Sequence, residues 1–157
     1  MAVYTQINDP SAFFKCQLYT GTGSSNAITF NDTDTDMQPD LVWLKQRSSP
    51  AASHVVVDAL RGTGKFVTPN ASSAETDDAY NVTAFGSDGF TVGASSGSGD
   101  INVSSETYVA WCWKANGSGS ANTAGSINTT ATSAETTSKF SIIKFTGNDT
   151  GVATIGH

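Results

Sequence analysis

Charge is what this chain has least of. Only 14% of its 157 residues are Asp, Glu, Lys or Arg, and 8 basic residues face 14 acidic ones, a formal net charge of −6. Binding a phosphate backbone or anionic lipid requires clustered Lys and Arg, so neither nucleic acid nor a membrane is expected as a partner. Long apolar runs are missing too, and nothing is long enough to span a bilayer. The opening "MAVYTQINDP" has neither the basic region nor the apolar stretch of a secretory signal. The 2 cysteines, Cys16 and Cys112, are too few for a disulfide framework. Both lie in apolar runs and could face each other across neighbouring strands; two buried free thiols are the expectation, since nothing marks an oxidising compartment. Helical stripes are absent as well: Ser72 with Glu75 and Thr132 with Glu135 have capping-box spacing, but neither pair precedes a helical apolar stripe.

What replaces charge is Ser, Thr, Asn, Gly and Ala, the style of a β-rich, turn-rich protein. Asn-x-Ser/Thr triplets at Asn70, Asn81 and Asn102 arise by chance in such a composition and predict no glycan. Short segments with apolar alternation, bounded by Gly, Asn, Asp, Ser or Pro, predict strands over 14–19, 27–30, 41–47, 54–58, 65–68, 82–85, 90–93, 108–114 and 140–145. In "TYVAWCWKA", Val109, Trp111 and Trp113 share one side while Tyr108, Ala110 and Cys112 share the other. Both sides are apolar, which predicts a central strand. Many short antiparallel strands without helices imply an all-β, two-sheet sandwich. Phe13, Phe14, Trp43, Phe85, Phe90, Trp111 and Trp113 would supply much of its core or rim. The chain length fits one such core, and the expected divisions are a sandwich over 1–125, a Ser/Thr/Gly-rich loop or linker over 126–139, and a closing segment over 140–157.

That closing segment resembles the beginning. Aligning Phe14 with Phe140 also matches Tyr19 with Phe145, Thr20 with Thr146, Gly21 with Gly147 and Ala27 with Ala153, although Leu18 falls opposite Lys144. Residues from Phe140 onward therefore read either as the last strands of the first unit or as the start of a second, incomplete one.

Candidate sites are few. "NDTDTDMQPD" sets Asp32, Asp34 and Asp36 at alternate positions with Asp40 close behind, a spacing at which loop carboxylates can converge on calcium. The loop lacks an EF-hand's glycine and distal Glu, and an ordinary solvated turn fits it equally. Apart from this calcium candidate no cofactor is expected. "RGTGK" is not a phosphate loop, because Ala59 stands where the first Gly belongs and Phe66 where the hydroxyl does. Glycan hydrolysis needs two carboxylates flanking the bond, and Glu75, Glu106 and Glu135 are isolated in Ser/Thr-rich stretches. His54 has no Ser or Cys nucleophile beside it, and His157 is terminal. No catalytic residue is assigned, and no enzymatic activity is expected.

Five stretches, "FFKCQLYTGTGSSNAITF", "MQPDLVWLKQR", "HVVVDALRGTGKF", "SDGFTVG" and "YVAWCWKANG", in this order resemble a concanavalin-like domain found, often in tandem, in virion structural and tail-fibre-like proteins of marine tailed bacteriophages. The closing "FSIIKFTGNDTGVATIGH" looks like the opening of that family's next unit. The resemblance implies a jelly-roll sandwich, location in the virion, and a non-enzymatic role in a tail fibre or other appendage, with other virion proteins as partners, a host-surface glycan as a further one, and homo-oligomerisation of unassigned symmetry. Asp58 and Arg61 match the family's Asp-x-x-Arg-Gly segment and read as an ion pair pinning a loop. Two other readings stay open: a carbohydrate-binding module using loop Asp and Asn groups with an exposed aromatic, and a capsid decoration protein.

Overall fold

Tyr108, Ala110 and Cys112 have no exposed surface, while Val109, Trp111 and Trp113 on the same strand face the other way. The structure, a computed structural model, describes residues 7–95, 99–149 and 151–157; residues 1–6, part of the opening read above for a signal, lie outside these. A 3-10 turn, Pro10–Ala12, leads into β1 (Phe14–Thr20), followed by β2 (Asn26–Thr29), β3 (Leu41–Gln46), β4 (His54–Asp58), β5 (Lys65–Phe66) and β6 (Thr76–Asp77). Then come β7 (Val82–Gly86), β8 (Gly89–Val92), β9 (Thr107–Trp113), β10 (Thr129–Glu135) and β11 (Phe140–Phe145). All strand pairings between these elements are antiparallel, and the described residues contain no α-helix.

The main sheet runs β1-β9-β3-β4, so β9 is central, as its two apolar faces require. On its inner face Cys112 lies between Lys15 and Val42, and Ala110 between Gln17 and Leu44. Val57 and Val55 extend those rows on β4. A second sheet, β2-β8-β7, brings Ile28, Phe90, Val92 and Val82 into the same core, with Phe66 from β5 and Met37 and Ile101 from the connections. The two sheets thus share one sandwich-like core. Each fully buried Val, Leu or Phe side chain there contributes about 1.5–3 kcal/mol.

The turn from β7 to β8 is tight: Gly89 has φ +130°, and a Cβ there would stand 2.0 Å from the Ile28 carbonyl oxygen. Only glycine lets β2 and β8 approach so closely. Loops are tied by buried polar groups. Asn102 donates to the Ser24 and Gly93 carbonyls, each at 2.6 Å, and accepts from the Thr22 N–H at 2.9 Å. Asn81 is 1% exposed, so two of the three triplets noted above lie inside the fold.

Three expectations need correction. The predicted loop over 126–139 contains β10, which pairs with β11 as a separate two-stranded sheet. It lacks a hydrophobic signature because its interior is small and polar: Ser133 is fully buried and its Oγ accepts from the Asn116 N–H, while Thr129 and Thr132 share a hydroxyl hydrogen bond of 2.8 Å. Gly119, at φ +63°, lets the preceding chain lie against the Thr132 carbonyl, where a Cβ would stand 2.3 Å away. Cys16 is exposed rather than buried, because it sits one residue from Lys15 and strand alternation turns it outward. Of the seven aromatics expected in core or rim, Phe90 alone is fully buried, while Phe14 is 41% exposed and the others are half-buried.

The register also excludes a bridge between the cysteines. Cys112 stands opposite Lys15, and Cys16 opposite Trp111 on the other face. Burial holds the Cys112 thiol well above its ordinary pKa. With a thiol-reactive chromogen at low protein concentration and pH 8, Cys16 is expected to react promptly and Cys112 only on unfolding in guanidinium chloride. Prompt reaction of both thiols in native buffer would contradict the strand alternation.

Candidate functional site

Lys15 is the one charged residue of β1, and alternation points it into the sandwich, where its side chain is 4% exposed. A buried ammonium needs a counter-charge. Asp32 supplies it from the loop after β2, with both carboxylate oxygens 2.8 Å from Lys15 Nζ, and the Phe30 ring lies 5.4 Å from the same nitrogen. Hydrogen bonds from the ammonium hold the Asp32 carboxyl below the ordinary aspartate range. Asp32 also accepts from the Asp34 N–H at 3.2 Å, while the Asp34 and Asp36 side chains face solvent.

The structure does not gather Asp32, Asp34 and Asp36, the residues of the calcium reading, around one point. Asp32 is committed to Lys15, and among the described residues no three His, Cys, Asp or Glu side chains gather in a way that could hold a metal ion. Asp40 has a structural task of its own. It is 3% exposed; its N–H donates to the Trp113 carbonyl, its carbonyl accepts from the Ala59 N–H, and its Oδ2 accepts from the Ala115 N–H, each at 2.8 Å. One residue thus joins the start of β3, the end of β9 and the turn after β4.

That turn carries the expected ion pair. Asp58 Oδ1 caps the Leu60 and Arg61 N–H groups, Oδ2 lies 2.6 Å from Arg61 Nε, and Arg61 Nη2 reaches the Val56 carbonyl at 2.9 Å. The three glutamates are engaged as well. Glu106 accepts from Gln46 and Ser48, Glu75 lies 3.8 Å from Lys65, and Glu135 accepts from the Thr137 N–H. His54 Nδ1 accepts from Trp43 Nε1 at 2.9 Å, which places its proton on Nε2.

The outer face of the main sheet carries the tryptophan side expected of β9. Cross-strand register sets Cys16, Trp111, Trp43 and Val56 in one row, and Phe14, Trp113, Leu41 and Asp58 in the next. Trp43 meets Trp111 edge to face at 6.3 Å. Trp113 is held between Phe14, with centroids 5.0 Å apart, and Phe140 of β11, stacked at 5.9 Å. Each such pair contributes about 0.5–1.5 kcal/mol beyond burial. The β10–β11 hairpin is therefore docked on one end of this face. Beside Trp113 it leaves a recess of about 330 Å³ lined by Ile7, Pro10, Phe13, Phe14 and Phe140, with Ser138 and Lys139 at its polar side. Ser138 Oγ is buried and has no hydrogen-bond partner among the described residues. Alternation in "TYVAWCWKA" reveals the Trp face; nothing in the sequence shows that Phe140 lands on it.

The closing residues continue the same body. Ile155 bridges Ile127 in parallel, and the Ile127 N–H donates to the Thr154 carbonyl at 3.0 Å. Residues 9–157 match a family described as a domain of unknown function (DUF7483), and the chain belongs to that family. The match runs through the hairpin and the closing segment. No curated protein matches the chain, and no solved structure does.

Asp58→Ala leaves Arg61 buried without its counter-charge and is expected to cost about 3–5 kcal/mol in urea denaturation; a loss under 1 kcal/mol would deny the turn its role. Asp32→Asn should lower the denaturation midpoint at neutral pH. Because the folded pKa of Asp32 is depressed, its contribution is complete above the unfolded value of about 3.9 and disappears as pH falls through the folded one. The wild-type advantage over Asp32→Asn should therefore shrink between pH 6 and pH 2, and an advantage independent of pH would contradict the pairing. Calcium or a chelator should leave both midpoints unchanged.

Proposed function

We propose that this chain is a non-enzymatic structural module of a bacteriophage particle, a concanavalin-like jelly roll built into a tail fibre or other appendage, assembled with other virion proteins and placed to contact the host surface. One observation carries the reading: the stretches that resemble the virion domain form the framework itself. "FFKCQLYTGTGSSNAITF" makes β1 and β2, "MQPDLVWLKQR" makes β3, "HVVVDALRGTGKF" makes β4, the Asp58–Arg61 turn and β5, "SDGFTVG" makes β8 and "YVAWCWKANG" makes β9. These stretches supply a scaffold and its tied turns, which is what a particle component needs. The engagement of Glu75, Glu106 and Glu135 in local contacts also supports a role without catalysis, since a glycosidase pair must flank one bond from opposite sides.

A carbohydrate-binding role is the second reading, favoured by the recess beside Trp113. Aromatic rings with a nearby hydroxyl and ammonium suit the apolar face and hydroxyl rim of a sugar. Asp32, by contrast, is tied to Lys15 and does not assist it.

Immunogold labelling of particles made by cells carrying this sequence tests the first reading. Gold on tails or appendages is expected; gold confined to heads would favour a decoration protein, and unlabelled particles would overturn the proposal. On a broad glycan array, binding that disappears when Ser138→Phe fills the recess would establish the second reading, and silence would remove it.

A further inference from the structure

β1 is the outermost strand of the main sheet, and its free edge is unusually open. The Lys114 N–H donates to the Phe13 carbonyl at 2.9 Å and the Gly21 N–H to the Glu106 carbonyl at 2.8 Å. These two bonds fix the parity of the ladder: odd-numbered residues of β1 exchange bonds with β9, and Phe14, Cys16 and Leu18 turn their N–H and C=O groups outward. Of these outward groups only the Leu18 carbonyl has a partner among the described residues, the Gln17 side-chain amide at 2.9 Å. The same three residues carry exposed apolar side chains, with Phe14 at 41% and Leu18 at 55%.

Natural edge strands are guarded against pairing by outward lysines, prolines, bulges or a covering segment. Among the described residues β1 shows no such guard. It contains no proline, its register with β9 is unbroken, and Lys15 points inward to Asp32.

The order of the residues says what fits this edge. Read in the two antiparallel directions with Cys16 as centre, Phe14-x-Cys16-x-Leu18 sets Phe against Leu, Cys against Cys and Leu against Phe. At these three positions a strand paired with its own copy meets an apolar residue, and the two outer faces join there into one apolar surface. Such an isologous contact closes on itself about a two-fold axis.

We propose that β1 pairs antiparallel with β1 of a second copy of this chain, with Cys16 facing Cys16 of that copy, forming a symmetric dimer with one eight-stranded sheet. The central pair and the two flanking Phe14–Leu18 pairs exchange backbone hydrogen bonds, and the Leu18 carbonyl accepts through its second lone pair or releases Gln17. The pairing goes beyond the virion reading and does not depend on it.

Sedimentation velocity at tens of micromolar tests the dimer directly. Wild type should sediment at twice the chain mass of 16.3 kDa. Leu18→Lys, which sets an ammonium in the new interface, and Cys16→Pro, which removes an outward N–H at a position where an edge strand tolerates proline, should both sediment as monomers. A short bismaleimide should link wild-type chains through Cys16, whereas Cys16→Ser should stay dimeric yet escape linkage. Protection of Cys112 from thiol reagents certifies that each variant is folded, and Leu18→Lys, altering an exposed residue, decides the matter if Cys16→Pro fails to fold. Monomeric wild type, or folded Leu18→Lys that remains dimeric, would overturn the proposal; the first of these outcomes would leave the edge to a strand from another protein.

Discussion

A strand that is apolar on both faces cannot leave either to water, and β9 is such a strand. Its inner face closes the sandwich with Val42, Leu44 and the second sheet. Its outer face obliges something else to cover Trp111 and Trp113. Trp43, itself packed against His54, shelters one and the β10–β11 hairpin, through Phe140, shelters the other. The position of the β10–β11 hairpin thus follows from the need to cover a tryptophan. Where this cover stops, at Phe14, Cys16 and Leu18, the exposed apolar edge begins.

Scarcity of charge makes each buried ion conspicuous, and those that are buried hold segments together. Lys15 and Asp32 clasp the loop after β2, Asp40 joins β3 to the end of β9, and Asp58 with Arg61 fixes the turn after β4. A buried carboxylate or ammonium is a functional candidate when its environment leaves it poised for chemistry. Here Lys15, Asp40, Asp58 and Arg61 are each engaged by partners inside the fold, although Asp40 Oδ1 and Arg61 Nη1 are buried without a hydrogen-bond partner among the described residues. This allocation of ions to tethers suits the structural role proposed above.

The strands rich in Val, Ile, Phe and Trp were readable because burial of one face imposes a period of two on residues that favour extended backbone. β9 could even be placed at the centre. β10 was unreadable for the opposite reason: its buried positions are Thr129, Thr132 and Ser133, whose interior contacts are hydrogen bonds without an apolar pattern. Lys15 was hidden because a lysine one position from Phe14 and Cys16 looks like the polar side of an edge strand, whereas here the polar residue is inside and the apolar ones are outside. The aspartate run suggested a cation, and the cation proved to be an ammonium of the chain itself. The internal likeness has a partial counterpart in space. Phe14 and Phe140 pack on the same Trp113 ring, but Tyr19 donates its hydroxyl to the Ile101 carbonyl while Phe145 is 46% exposed.

The two-faced strand is tested most directly by hydrogen–deuterium exchange on Trp113→Ala. If the hairpin is held by that ring, amides of Thr129–Glu135 and Phe140–Phe145 should lose protection while Val42, Leu44 and Val55 keep theirs. Unchanged protection across the hairpin would mean that it stands without β9, and that the outer face of the sheet does not organise the end of the chain.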